Sequence, residues 1–345
     1  MDRINIQNEK LQQVLEQAKK SSYFYFSRFG DIDKFNDIPF MTQKDMNNKC
    51  LSMITCNINE ITVRKFINNS VRCYNKETSQ AEINKWKDIL SCLEYPNKAL
   101  VICREKDDTN VFIKNALEEK KCEVVLIDHK DKLSSAARML EEELPDVLIG
   151  EQKQLFALSQ YCEKNKAKNS VKWVISLIDH KNDVIIRRIL SIFKANLIRI
   201  KYISEVDIMV GYAMEKGKGY KIWSDIYTEI ISPQDHKVMN DGEYGLLSIT
   251  TTEDTCQPII RYLTDHFTRK ERHTGLLDQE SHIYGLDNDI NDIVYRYDGV
   301  IDWHIHDGVL KIIAVNQINE ARLEYEIGKK WNDKYIVKYV DDYSL

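Results

Sequence analysis

The sequence predicts an α/β protein in which a parallel, helix-covered sheet is followed by a more antiparallel β region. Between residues 98 and 203, short apolar runs typical of buried strands alternate with stretches of helical periodicity. After residue 204 the apolar residues tend towards a period of two, and turn signals such as NDGEYG and HDG separate the runs. The 345 residues and 43% hydrophobic content allow about two domains.

The N-terminal third is predicted to be mainly helical. Apolar residues recur with helical spacing over 4–20, and Thr42 is a predicted N-cap for a short helix over 43–50. The aromatic stretch SSYFYFSRFG at 21–30 is interpreted as a packing cluster. Residues 76–94 are predicted to form a further amphipathic helix.

The central third alternates strictly between strands and helices. Strands are predicted at the apolar runs 98–103, 122–128, 145–150, 171–178 and 197–203. Helices are predicted between them, at 109–121, 134–144, 152–166 and 183–194. Parallel strands need long crossover connections, which these helices provide. Further strands are expected in YKIWSDIYTEII, GLLSITTT, PIIRYLTDHF, DIVYRYDG, DWHIHD, VLKIIAV and KYIVKYV.

Composition and charge disfavour several classes of protein. The chain has 49 basic and 54 acidic residues, a net charge of −5, so a protein that binds nucleic acid through its field is not expected. The polar N-terminus and the lack of long apolar runs predict neither a secretory signal nor a membrane-spanning helix. The 8 cysteines have no C-x-x-C spacing and are interpreted as reduced thiols of a cytoplasmic protein.

Glycine usage restricts how the chain can bind a nucleotide. The sequence contains 12 glycines, and none lies between Gly30 and Gly150. Phosphate-cradling loops need glycine so that backbone N–H groups can approach the anion. Walker A and Rossmann fingerprints are therefore absent from the N-terminal third.

Several separated motifs occur in an order that is typical of one family. They are SSYFYFSRF, IPFMTQKDM at 38–46, YISEVD at 202–207 and a long stretch at 219–265 that includes GYKIWSDIYTEIISP, DGEYGLLSITTT and PIIRYLTD. Together they resemble the phenylacetate–CoA ligase-like branch of the adenylate-forming (acyl-CoA synthetase) superfamily, over about residues 20–270. The resemblance implies an adenylate-forming core domain at 1–284 and a shortened C-terminal subdomain at 285–345.

The resemblance implies a divergent ATP-dependent ligase. In such enzymes a carboxylate, here an aryl or acyl acid, attacks ATP to give an acyl-adenylate, and an acceptor then displaces AMP. The implied cofactors are ATP and Mg²⁺, and the implied acceptor is CoA or a carrier protein. The expected partner is thus a small carboxylic acid, with no nucleic acid or membrane, and a homodimer or a protein partner is left open.

Candidate site residues follow from the motifs residue by residue. The resemblance implies that Glu205 binds the metal and acts in catalysis, with Ser204 and Tyr202 beside it, and that Arg261 is a second catalytic residue. It places Trp223 and Asp225 near the nucleotide. This group therefore contains Tyr202, Ser204, Glu205, Trp223, Asp225 and Arg261.

Three positions depart from the family pattern. The ribose-binding aspartate falls on His266, and Asp265 lies one place early, where a regular strand would turn it to the other face unless a bulge intervenes. Arg64 and Lys65 lie where the family has its glycine-rich phosphate loop, and could attract an anion as point charges. The hinge stretch at 285–289 lacks the family's arginine.

These departures leave alternatives to the ligase hypothesis. One is a degenerate homologue without ATP chemistry, which acts as a binding or scaffold subunit. Another is altered chemistry in the old cleft. A ligase is expected to keep an open apolar pocket beside Glu205, whereas a scaffold is expected to fill it with Phe66, Ile67 or other bulky side chains.

Overall fold

The computed structural model describes residues 3–67, 70–103, 109–178, 183–214, 219–271, 276–278, 282–283, 288–328 and 334–343. Its helices are α1 (Arg3–Ser21), α2 (Tyr23–Phe29), α3 (Gln43–Lys49), α4 (Lys76–Ser91), α5 (Thr109–Glu119), α6 (Leu133–Glu143), α7 (Gln152–Asn165), α8 (Asp183–Phe193), α9 (Asn288–Val294) and α10 (Glu320–Gly328). None of these described helices has the length and apolar character that a membrane span requires.

The strands follow the same chain order. They are β1 (Val63–Ile67), β2 (Ser70–Tyr74), β3 (Lys98–Cys103), β4 (Glu123–Asp128), β5 (Val147–Glu151), β6 (Trp173–Ile178), β7 (Asn196–Ile203), β8 (Ile208–Met214), β9 (Lys221–Ile222), β10 (Ile226–Ile231), β11 (Gly245–Thr251), β12 (Tyr262–Thr268), β13 (His282–Ile283), β14 (Val300–His306), β15 (Val309–Ala314) and β16 (Tyr335–Tyr339).

The chain forms two compact units that each collect distant segments. Unit 1 contains Met1–Cys92, Lys106–Ala116 and Ile200–Tyr284. Unit 2 contains Leu93–Glu105, Leu117–Arg199 and Gly285–Leu345. Strand β7 therefore begins in unit 2 and ends in unit 1.

Unit 2 contains the parallel sheet that the sequence predicts. Its strands lie in the order β4-β3-β5-β6, and all three pairings are parallel. Helices α6, α7 and α8 bury their apolar faces in one continuous core, to which Leu140, Phe156 and Ile189 contribute. The fold class expected from the alternating pattern is thereby confirmed.

The C-terminal segment packs into this same core. Strand β14 pairs with β15 in antiparallel register, and β16 adds to β15 in parallel register. Tyr295 contacts Phe156 of α7 edge to face, with ring centroids 5.1 Å apart. The predicted boundary between residues 284 and 285 lies outside the described residues, so a separate C-terminal subdomain stays a prediction.

One predicted strand in this segment is wrong. The stretch DIVYRYDG was expected to be extended because its apolar residues alternate, but its first three residues belong to α9. Ile290 and Val294 lie four residues apart, one helical turn, and both are buried in the unit 2 core. Tertiary burial of this short helical face thus prevails over the local alternation.

Unit 1 contains the antiparallel region. Strands β10, β11, β12 and β13 form a sheet in sequence order, with every pairing antiparallel. Strands β1 and β2 form a separate antiparallel pair. The predicted N-cap is confirmed, because Thr42 and Asp45 form a capping box at the start of α3.

We expect the unit 2 core to respond to truncation of its central strand. Leu148→Ala on β5 removes a side chain that is 0% exposed, and should lower the free energy of unfolding by about 2–5 kcal/mol. The matched control is Leu126→Ala on β4, because Leu126 is 43% exposed and leaves a smaller cavity. Chemical denaturation measures both, and equal losses would contradict this account of the core.

Candidate functional site

Three of the residues predicted from the motifs lie together in unit 1. Glu205 lies in the turn after β7, and Asp265 and His266 are adjacent on β12. One ligand atom from each lies within 4.8 Å of the others, close enough for the three to share one ion. The motifs come from segments about 60 residues apart in sequence, and the fold brings them together.

A bulge in β12 lies at this point. Leu246 of β11 pairs with Phe267, whereas Ser248 pairs with Leu263, so a step of two residues on β11 spans four on β12. Two extra residues are therefore accommodated between Leu263 and Phe267, the interval that contains Asp265 and His266. From the sequence, Asp265 was expected to reach the site only if such a bulge was present, and the structure contains the bulge.

His266 is held in a buried polar contact. Its ring is 1% exposed, and Nδ1 lies 2.5 Å from Nζ of Lys201, itself 1% exposed on β7. Because the Lys201 ammonium donates, Nδ1 accepts, and the neutral ring carries its proton on Nε2. Nε2 lies 3.6 Å from the Oδ1 of Asp265, so the imidazole is oriented towards the carboxylates.

The two carboxyl groups of the site interact with each other. Burial raises the pKa of Asp265, while the charge of Lys201 and a hydrogen bond from Glu205 partly oppose that shift. Asp265 therefore keeps its proton to a higher pH than an ordinary aspartate, and that proton competes with a bound cation.

The two basic residues predicted to attract phosphate, Arg64 and Lys65, lie on opposite faces of β1. Arg64 is exposed on β1, and Lys65 is 2% exposed on the opposite face. Lys65 Nζ contacts the carboxylate of Asp207. Asp207 also accepts hydrogen bonds from Tyr74 at 2.6 Å and from Tyr202 at 2.5 Å. The predicted residues Lys65 and Tyr202 thus meet at an acid that sequence reasoning missed, since no motif singles it out.

Arg261 lies in a buried ion pair. Its Nε and Nη2 each donate to a carboxylate oxygen of Glu229 at 3.0 Å. Nη1 donates to the carbonyl oxygens of Asn36 at 2.7 Å and of Ile38 at 2.6 Å. Through these contacts Arg261 joins the start of β12 to β10 and to the N-terminal segment. The predicted catalytic role of Arg261 stays a prediction.

Trp223 and Asp225 lie on either side of the turn that leads into β10. The Trp223 ring packs on Tyr212 with centroids 4.9 Å apart, and its indole is 8% exposed. Asp225 Oδ2 lies 2.7 Å from Nζ of Lys85, which also donates to Glu82 at 2.8 Å. Opposite charges raise the pKa of Lys85, so this ammonium stays charged within the protein.

Asp225 and Asp207 both line a small cavity of about 30 Å³. This volume accommodates about two water molecules. It is lined by Arg72, Tyr74, Thr78, Ala81, Glu82, Lys85, Asp207, Ile208, Asp225, Ile226, Thr251, Glu253 and Asp254. The lining has paired charges of both signs, which indicates a hydrated structural cavity beside the site.

Comparison with curated proteins finds a short local match. Over 57 residues the chain is 42% identical to phenylacetate-coenzyme A ligase of Escherichia coli (strain K12). That match covers 16% of this chain and 13% of the ligase, so the chain matches well under two thirds of its curated relative. No family model matches the chain.

Comparison with solved structures finds a match over nearly the whole chain. A 2-hydroxyisobutyryl-CoA ligase in the postadenylation state has a TM-score of 0.79 at 14% identity, covering 96% of this chain and 84% of that one. ATP-bound MatB from Rhodopseudomonas palustris has a TM-score of 0.54 at 10% identity, covering 84% and 66%. A long-chain-fatty-acid-CoA ligase (FadD1) from Archaeoglobus fulgidus has a TM-score of 0.52 at 12% identity, covering 83% and 66%. The chain has the fold of the adenylate-forming ligases, which confirms the resemblance at the level of the fold.

We expect the Arg261 ion pair to be necessary for stability. Glu229→Gln leaves a buried guanidinium without its counter-charge and should cost about 3–5 kcal/mol of unfolding free energy. The matched control is Glu16→Gln on α1, whose carboxylate forms an exposed pair with Lys20 and should leave the unfolding midpoint nearly unchanged. Urea denaturation compares the two, and an unchanged midpoint in Glu229→Gln would contradict the structural role.

Cation binding at Glu205 and Asp265 should strengthen as pH rises. Asp265 has a raised pKa, so it keeps its proton to a higher pH than an ordinary aspartate, and below that pH the proton competes with the cation. Affinity for Mn²⁺ should therefore fall as pH is lowered through the raised pKa, and binding should release protons. Calorimetry in two buffers of different ionisation enthalpy measures the release, and pH-independent binding without it would contradict the raised pKa of Asp265.

Proposed function

We propose that the protein is a divergent ATP-dependent ligase that activates a carboxylic acid as an acyl-adenylate. The observation that carries the proposal is the juxtaposition of Glu205, Asp265 and His266, three of the residues that the motifs assign to metal and nucleotide. Their convergence in a fold shared with adenylate-forming ligases supports the same general reaction. In this proposal Glu205 and Asp265 line the nucleotide site.

The donor set suits magnesium. Carboxylate oxygens are ligands that Mg²⁺ prefers, and Glu205 and Asp265 supply two of them. The Nδ1 of His266 is engaged by Lys201, so the imidazole is better placed to donate a hydrogen bond than to coordinate the ion. When bound, Mg²⁺ would neutralise phosphate charge, while Glu205 and Asp265 hold it.

Lys201 and His266 contribute a positive charge and an oriented donor to the same place. Lys201 is buried, so its charge acts through a low-dielectric surrounding and is screened less than a surface charge. The His266 ring, fixed by Lys201, presents its Nε2–H on the side of Asp265. We infer that this pair replaces, in part, the nucleotide contacts that a glycine-rich phosphate loop would make, since the N-terminal third of the sequence has no such loop.

An aryl or acyl acid is the substrate that we propose, with CoA or a carrier protein as the acceptor. The solved relatives are named as ligases of 2-hydroxyisobutyryl-CoA and of long-chain fatty acids. The curated relative is named for phenylacetate. This range of acids supports the reaction type and leaves the identity of the acid to a substrate screen.

A binding or scaffold role is the second candidate, and one observation favours it. Lys65 and Arg261, two cations assigned to the active site, are both engaged in buried ion pairs. Of the two side chains expected to fill the pocket in a scaffold, Phe66 is 65% exposed, whereas Ile67 is buried at 6% exposure. The convergence of Glu205, Asp265 and His266 is the observation that favours the ligase proposal.

We expect two carboxamide substitutions to abolish acid activation. Glu205→Gln and Asp265→Asn should each lower acid-dependent ATP–pyrophosphate exchange by at least about 100-fold, since each removes a carboxylate ligand of the Mg²⁺ that would neutralise the reacting phosphates. The matched control Asp235→Asn changes an exposed acid in the β10–β11 turn and should leave exchange unchanged. Equal exchange in all three variants would place the chemistry elsewhere.

Nucleotide binding separates the two candidate functions. Mg-ATP at about 100 times its Kd stabilises a protein by about 2.7 kcal/mol, which should raise Tm by several degrees. A thermal melt with Mg-ATP, and with AMP as a comparison, measures this shift. Absence of a shift with either nucleotide at millimolar concentration would refute the ligase proposal and favour the scaffold.

A further inference from the structure

Two cysteines from distant parts of unit 1 lie sulfur to sulfur. Cys56 follows the turn after α3, and Cys256 precedes β12, yet their Sγ atoms are 3.1 Å apart. Cys256 is 0% exposed, whereas Cys56 is half-buried and open to small solutes. All eight cysteines of the chain are free thiols in the structure.

The backbone on both sides fixes this contact. Thr55 N donates to the carbonyl oxygen of Cys256 at 2.8 Å, so the residue before Cys56 is bound to Cys256 itself. Asp254 Oδ1 accepts from the backbone N–H groups of Cys256 and Gln257, each at 2.9 Å. Asp254 is held in turn by Arg72. The two sulfurs are thus placed together by four ordered contacts rather than by free side-chain rotation.

We propose that Cys56 and Cys256 form a reversible disulfide when a hydroperoxide reaches the surface at Cys56. The Cys56 thiolate attacks the peroxide oxygen, which gives a sulfenic acid and releases hydroxide. Cys256 sulfur then attacks the sulfenic sulfur, the S–S bond forms, and water leaves with the Cys256 proton. Two thiols and one hydrogen peroxide give one disulfide and two water molecules, so the two electrons lost by sulfur reduce the peroxide.

The order of the two steps follows from burial. Exposure lets the oxidant reach Cys56 and excludes it from Cys256. Burial also raises the pKa of the Cys256 thiol, which keeps it protonated until the neighbouring sulfur is oxidised. Cys56 is therefore the sulfur that reacts with peroxide, and Cys256 is the resolving thiol.

Two other thiols could compete with Cys256 for a disulfide to Cys56. Cys50 and Cys73 are buried, at 8% and 1% exposure, and lie close enough to influence the same cluster electrostatically. The sulfur in contact with Cys56 is that of Cys256, at 3.1 Å. The pairing is therefore specific, and a disulfide from Cys56 to Cys50 or to Cys73 would be evidence of non-selective oxidation.

Peptide mapping of the oxidised wild-type chain tests the pairing directly. The full chain is treated with one equivalent of hydrogen peroxide, alkylated and digested with trypsin without reduction. Trypsin places Cys56 in 50–64 together with Cys50, Cys256 in 238–261, and Cys73 in 73–76. The expected result is a 50–64/238–261 linked pair whose fragment ions assign the bond to Cys56, with release of both peptides by dithiothreitol.

Variants and stability give independent readouts. Cys256→Ser should accumulate Cys56 sulfenic acid that reacts with dimedone, and Cys56→Ser should leave Cys256 alkylatable only after unfolding. The matched control Cys92→Ser removes another half-exposed thiol, whose Sγ contacts the Asp88 carbonyl at 3.6 Å, and should leave the linked pair unchanged. The bond closes a loop of about 200 residues in the unfolded chain, so oxidised wild type should melt several degrees higher.

The proposal is overturned if, after peroxide treatment of the wild-type protein, Cys56 and Cys256 can both still be alkylated once the protein is unfolded. It is equally overturned if Cys56 is found bonded to Cys50 or Cys73. Both results are obtained with the wild-type protein, so they do not depend on whether a cysteine variant folds. They are also independent of any nucleotide or acid that the protein binds.

Discussion

The carboxylate of Asp207 joins three segments of unit 1, and the position of the candidate site depends on it. It accepts from Lys65 on β1, from Tyr74 on β2 and from Tyr202 on β7. A buried carboxylate without partners would cost several kcal/mol, so these donors have to be in place together. Glu205 lies two residues before Asp207 in the same turn, and the turn is held by these contacts.

Paired buried charges recur throughout unit 1. Arg261 with Glu229, Arg72 with Asp254, and Lys85 with Asp225 each close a contact between segments that are distant in sequence. Such pairs add little net stability over apolar packing, but removing one partner is costly. They therefore fix the relative positions of the β10–β13 sheet, the β1–β2 pair and α4, in the same unit in which Glu205, Asp265 and His266 meet.

The candidate site explains how a chain poor in glycine could keep the chemistry suggested by its fold. Backbone N–H groups of a glycine-rich loop hold phosphate without charged side chains. Here Lys201 brings a buried positive charge to the site, and Glu205 and Asp265 are acids that would bind phosphate through a cation. Side-chain charges are less preorganised than backbone donors but are effective when buried, since the low dielectric strengthens them.

Sequence patterns located most elements because strand and helix periods are local properties of the chain. The crossover helices, the parallel strands and the Thr42 cap were all predicted, since burial on one face imposes the period along the chain. The start of DIVYRYDG, at 292–294, was misread because the alternation of this stretch resembled a strand, whereas the packing of Ile290 and Val294 in the unit 2 core places it in a helix. Short elements are the ones in which tertiary contacts prevail over local preference.

Local patterns in the sequence were enough to predict the fold class, the resemblance to the adenylate-forming ligases, and the acids and cations that are candidates for the site. Which of these side chains meet depends on the folded chain, in which the bulge in β12 lies beside Asp265 and His266 and Lys201 fixes the ring. The folded chain also engages Lys65 and Arg261 in ion pairs, and it brings Cys56 to Cys256, 200 residues away in sequence. The physical reason is that side-chain type and spacing are written locally, whereas pairing of buried charges and thiols depends on strand register and on the long-range closure of loops, which a single sequence does not specify.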